Sequence, residues 1–168
     1  PVSVGETLTN FPLLVRFENN INGSGFYYGQ CAQINGGDLR FADPTESVIF
    51  PHEIERWNTN GISTVWVKIP ALAGTNDYFY AYWGKTNAAA PASLTNGMVW
   101  SPEFRAVWHL GHTGDTNVLD STTNRRHGVT YNMPANPWTN AAVGNGLTFD
   151  RVNNYVFGMG NGIVPKGG

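Results

Sequence analysis

Apolar and polar positions alternate with a period of two along much of this chain. Residues 64–69 read Thr-Val-Trp-Val-Lys-Ile, which puts Val65, Val67 and Ile69 on one face of a strand. Residues 78–83 are almost wholly aromatic. Phe79, Ala81 and Trp83 share one face there, and Tyr78, Tyr80 and Tyr82 share the other. Residues 51–57 alternate as well, with His52, Ile54 and Arg56 opposite Glu53, Glu55 and Trp57, and residues 13–17 form a short apolar run. Turn dipeptides separate these segments: Asn22-Gly23, Asn35-Gly36, Asn60-Gly61 and Ala73-Gly74. No stretch keeps a helical period for long. Short strands at regular spacing predict an all-β sandwich architecture. Residues 87–93, Asn-Ala-Ala-Ala-Pro-Ala-Ser, are small and weakly patterned, as a connector would be. We therefore expect two β-domains, over residues 1–90 and 98–168.

Composition narrows the class. Of 168 residues, 41% are hydrophobic and 13% aromatic, enough for packed cores, while only 13% are charged. Sparse charge with abundant neutral polar side chains suits an extracellular β-protein. A formal charge of −2 supplies no basic field for a phosphate backbone, so we expect no nucleic-acid partner. Cys31 is the sole cysteine, which rules out an intrachain disulfide and reads as a small apolar residue rather than a nucleophile. No apolar run is long enough for a membrane-spanning helix, so no direct membrane insertion is expected.

Fixed landmarks recur in the second half: Trp108-His109-Leu110, Asp120-Ser121, Asn124, His127-Gly128, Gly144-Asn145-Gly146-Leu147, Phe149-Asp150 and Asn153-Asn154-Tyr155-Val156. This segment resembles the opening part of laminin-G/concanavalin A-like jelly-roll domains. The first half carries Leu8-Thr9-Asn10-Phe11-Pro12, Gly37-Asp38-Leu39-Arg40-Phe41, Pro51-His52-Glu53-Ile54-Glu55 and Tyr80-Ala81-Tyr82-Trp83-Gly84. It resembles a bacterial secreted β-module of uncharacterised function, of the kind found beside TolQ/ExbB-type proton-channel proteins. Together the resemblances imply two tandem β-sandwiches, the second an incomplete concanavalin-like jelly roll. They imply an extracellular, cell-surface or periplasmic location and a non-catalytic binding or scaffolding role, with a polysaccharide or glycan as ligand. Two alternatives stay open: a structural subunit of an extracellular filament or surface assembly, and an accessory part of a polysaccharide-degrading enzyme. We read the chain as a piece of a longer protein. Phe149, Tyr155 and Val156 are then expected to face a core, covered by the rest of the same chain or by other protein subunits.

Candidate chemistry is modest. Glu53 and Glu55 lie at i, i+2 on a strand, so their side chains share a face about 7 Å apart. That spacing falls near what a glycosidase carboxylate pair uses. The plainer reading is a polar strand face, and we expect no catalytic residues. Calcium is the one cofactor implied by the jelly-roll resemblance. Asp115, Asp120, Asn124 and Asp150 would be its oxygen donors, and Asx-turns are the competing role for Asp120 and Asp150. His127 is expected to be a hydrogen-bonded turn residue rather than a zinc ligand. Aromatic rings stack on the apolar faces of sugars, and six Trp and seven Tyr are present. Trp66, Trp83 and Trp108 fall at core positions of strands. Trp138, Trp57 and Trp100 are flanked by loop residues, which makes them the candidate ligand contacts, Trp138 first.

Overall fold

The computed structural model describes residues 5–100, 102–111 and 116–158. Ten strands and three short 3-10 turns account for the regular structure, with no α-helix among the described residues. The chain divides into two compact units, Pro1–Thr95 and Asn96–Gly168. The fold is all-β.

The first unit is built on β4 (Ser63–Leu72), which pairs antiparallel with β1 (Leu8–Phe17) on one side and β3 (His52–Arg56) on the other. The alternation of β4 explains its place. Val65 and Val67 are fully buried and Ile69 nearly so, at the centre of a sheet whose inward face is apolar. Across the pairing, Val15 sits opposite Val65 and Leu13 opposite Val67, so both strands turn the same apolar face inward. Pro12 is tolerated because β1 is an edge strand and needs no second set of backbone partners. A second sheet pairs β2 (Arg40–Ala42) with β5 (Tyr80–Tyr82). Between the sheets lies a core of Phe17, Phe26, Leu39, Phe41, Phe50 and the β4 side chains, with Phe79 and Ala81 packed against it. Aromatic edges meet faces throughout, as in Phe26–Tyr28 at 5.1 Å and Phe41–His52 at 5.0 Å.

Two polar hubs tie this core to its loops. The Tyr28 hydroxyl lies 2.9 Å from the carbonyls of Phe17 and Gly61 and accepts from the Ser63 N–H at 3.1 Å. Asp38 is buried, and its carboxylate accepts from the backbone N–H groups of Ala32, Gln33 and Gly84. Burial pushes the Asp38 carboxyl up, but those three donors together hold it below the usual range. Gly36, at φ +73°, lies beneath the Trp57 ring, where an added Cβ would come within 2.7 Å of the indole.

The second unit contains β6 (Asn117–Val118), β7 (Gly128–Tyr131) and β10 (Tyr155–Phe157) in one antiparallel sheet, with β7 central. A separate hairpin pairs β8 (Trp138–Asn140) with β9 (Asn145–Leu147). Among the described residues of the second unit, Val99, Trp100 and Val118 are buried apolar side chains, and Asp120 and Thr122 are buried with them. Gly97, at φ +79°, lets its backbone pass the 121–123 turn so closely that a Cβ would stand 2.6 Å from the Thr123 nitrogen. Phe149 and Tyr155 are exposed and Val156 is half-buried, so the first two still call for the cover expected from the rest of the chain or from other subunits. Their sheet presents one uncovered face, where Tyr131 stacks on Tyr155 at 5.1 Å beside Val129 and Phe157.

Candidate functional site

The most site-like surface belongs to the first unit. Tyr78, Tyr80 and Tyr82 project from the outer face of the β5 segment because alternate residues of an extended chain share a side. All three are exposed, by 60, 41 and 40%. Their rings follow one another along the strand, with centroids 5.8 Å apart between Tyr78 and Tyr80 and 6.2 Å between Tyr80 and Tyr82. The inward partners Phe79 and Ala81 anchor the row in the core. Slight desolvation, and then the adjoining Glu46 carboxylate, lift the Tyr82 hydroxyl above its ordinary pKa. The row therefore offers flat apolar rings with hydroxyl tips.

At the Tyr78 end the row meets a cleft of about 460 Å³. Its apolar walls include Leu13, Phe50, Ile69 and Phe79, so it opens toward the core of the first unit. Asp43 and Asp77 also line it, and no lysine, arginine or histidine among the described residues does. Both carboxylates shape the loops that frame the opening. Asp43 accepts from the Thr45 hydroxyl and from the Thr45 and Val48 N–H groups, the latter at 2.6 Å, and these bonds hold its carboxyl below the usual range. Asp77 accepts from the N–H groups of Ala73 and Gly74 through Oδ2.

The tryptophans singled out from sequence lie outside this row and cleft. Trp100 is 4% exposed and packs against Phe104 at 5.5 Å, so the expectation of an exposed ring there is corrected. Trp57 is half-buried, edge-on to Tyr28 at 5.2 Å and over Gly36, with its indole nitrogen buried. Trp138 is half-buried on β8, opposite Leu147 in the hairpin, rather than in a free loop. Loop neighbours in sequence thus do not by themselves mark an exposed ring. The tyrosine row was visible as a period-two pattern, but aromatic runs in strands are usually read as core.

Of the proposed calcium donors, Asp120 is the most heavily engaged within the protein. Asp120 Oδ1 accepts from the N–H groups of Val107 and Thr122, and Oδ2 accepts from the Thr122 hydroxyl and the Arg126 N–H. Four donors fill the lone pairs a carboxylate has to give. Burial raises the Asp120 carboxyl, yet these bonds bring it below its ordinary value. Asn124 turns its amide nitrogen to the carbonyls of Phe104 and Arg105. Asp150 Oδ1 accepts from the N–H groups of Val152, Asn153 and Asn154, closing an Asx-type turn. Asp115 lies outside the described residues, as does His112. No group of three or more His, Cys, Asp or Glu suited to a metal occurs among the described residues. His127 accepts from the Asp120 N–H through Nδ1, the turn role expected of it.

Cys31, Glu53 and Glu55 lie in the first unit. Burial, and then Asp38, push the Cys31 thiol up to about 11, which keeps it protonated at neutral pH. Glu55 accepts from the Trp66 indole N–H at 3.0 Å, and Glu53 pairs with Trp66 across the β3–β4 ladder.

Residues 35–101 match the family described as a domain of unknown function (DUF2341). That segment spans β2 to β5 and so contains the tyrosine row and both cleft carboxylates. No curated protein and no solved structure matches the chain.

Proposed function

We propose that this chain is a non-catalytic binding and scaffolding module of a secreted or cell-envelope protein, with carbohydrate as its ligand. The exposed row Tyr78, Tyr80 and Tyr82 carries this reading. Successive rings on a rigid strand can stack on successive sugar faces, while their hydroxyls and neighbouring polar groups meet sugar hydroxyls. Low surface charge supports it too, since a neutral polysaccharide needs no electrostatic partner. The resemblance of the second unit to laminin-G/concanavalin A-like domains favours the same ligand class. The resemblance of the first unit to modules beside TolQ/ExbB-type proteins favours the cell envelope. Pull-down on insoluble polysaccharides, backed by a glycan array, tests the proposal. The chain should be retained by at least one glycan, and retention should fall when Tyr80 and Tyr82 are both changed to alanine. Retention by none would remove carbohydrate as the ligand.

A second reading, a structural subunit of a surface assembly, draws on a different observation. The face of the β6–β7–β10 sheet exposes Val129, Tyr131, Tyr155 and Phe157 together, an apolar group of the kind that marks interaction surfaces. Light scattering after size exclusion separates the readings. A concentration-dependent oligomer that Phe157→Ser and Tyr155→Ser return to monomer would favour assembly.

A further inference from the structure

We infer that the cleft beside Tyr78 is a binding site for an organic cation with an apolar body, such as an aryl or alkyl ammonium or a lysine or arginine side chain. This inference does not rest on the carbohydrate reading, because the cleft and the outer tyrosine face are separate surfaces that share only Tyr78. Three observations on the first unit converge. The cleft, about 460 Å³, falls within the size range of small-ligand sites and is walled mainly by apolar side chains reaching the core. Its polar side chains are acidic or neutral: Asp43, Asp77 and Asn76 line it, with no cationic side chain among the described lining residues. Tyr78, 60% exposed at the same opening, offers a ring face to a positive charge.

The hydrogen bonds sharpen the choice of ligand. Asp77 spends Oδ2 on the Ala73 and Gly74 N–H groups, while Oδ1 takes no hydrogen bond among the described residues. Asp43 is held ionised by Thr45 and Val48. A neutral apolar ligand would fill the walls but leave both negative charges without a counterpart. An anion would be repelled by them. A cation on an apolar stem satisfies both parts, laying its body along Ile69 and Phe79 and its charge toward Asp77.

Three probes that share a benzyl body and differ in charge test this by NMR titration of the isotope-labelled chain at low salt: benzylammonium, benzyl alcohol and phenylacetate. Benzylammonium should shift the amides of Ile69, Leu72, Asp77 and Tyr78 most strongly and phenylacetate least. N-acetyl-arginine methylamide, run beside them, distinguishes a free amine from a peptide side chain as the source of the cation. Asp77→Asn keeps an oxygen for the loop N–H groups and removes the charge. It should weaken benzylammonium about two- to fivefold, the range of an exposed ion pair, and leave benzyl alcohol unchanged. Should that variant misfold, the salt dependence of the unaltered chain replaces it, because cation binding alone should weaken as salt rises. No shifts at the cleft with any cation, or equal binding of all three probes, would overturn the inference. Loss of glycan retention in the Tyr80 and Tyr82 variants leaves this result untouched, so the two proposals fail separately.

Discussion

His52 sits in the core of the first unit, 1% exposed, with neither ring nitrogen in a hydrogen bond. Its ring meets the edge or face of Phe41 instead of a polar partner. Burial, and then the Arg40 guanidinium, press its pKa down to about 4. The folded unit therefore prefers neutral His52, and the unfolded chain takes up a proton near pH 6.5. Stability from this group is fully present above about pH 6.5 and is lost as pH falls toward 4. We expect urea unfolding to show a loss of up to about 3 kcal/mol across that window, above the range where most carboxylates titrate. His52→Leu should flatten the dependence there; an unchanged slope would place the acid sensitivity elsewhere. Asp120 is the corresponding residue in the second unit, with four donors on its two oxygens. Replacing it by alanine strands buried N–H groups and should cost at least about 2 kcal/mol by denaturant titration. Calcium and a chelator should leave the melting midpoint of the unaltered chain equal, and a calcium-dependent rise would reinstate a cation near Asp120.

At the scale of elements, strands were legible where the period-two pattern was strong. Val65, Val67 and Ile69 show the inward face expected of them, and the strand extends to Ser63–Leu72 because its pairing with β1 continues past the apolar core. Residues 78–83 keep their two-faced character, although ladder bonds reach only Tyr80–Tyr82. What sequence could not supply was which face would be covered. Burial of an aromatic side chain depends on partners far along the chain, as Trp100 and Trp57 show: each has loop neighbours and each is an anchor. Phe149 and Tyr155 are the opposite case, apolar by type yet exposed in this chain. The Glu53 and Glu55 strand shows why a carboxylate spacing alone says little. Glu55 is engaged by the Trp66 indole, and this pairing gives it a packing role. Glu53→Gln and Glu55→Gln should therefore leave any turnover of the parent protein unchanged, and loss of turnover with the fold intact, checked by circular dichroism, would turn the pair into catalysts.

For the whole molecule, two all-β units place their apolar surface differently. The first encloses its aromatic side chains between two sheets and leaves a tyrosine row and a cleft outside. The second buries few large side chains and exposes an aromatic sheet face. No helix among the described residues is long and apolar enough to cross a membrane. The proposed binding role draws on the outer surface of the first unit. The row on β5 is the part of that account most open to direct attack. Affinity electrophoresis of the chain through gels containing soluble polysaccharides measures it in one experiment, with Tyr80→Ala run alongside. The account predicts retardation by at least one polysaccharide and a loss of about 1–3 kcal/mol in binding for Tyr80→Ala, as removal of a stacking ring costs elsewhere. Retardation that survives Tyr80→Ala undiminished, or no retardation in any gel, would contradict it.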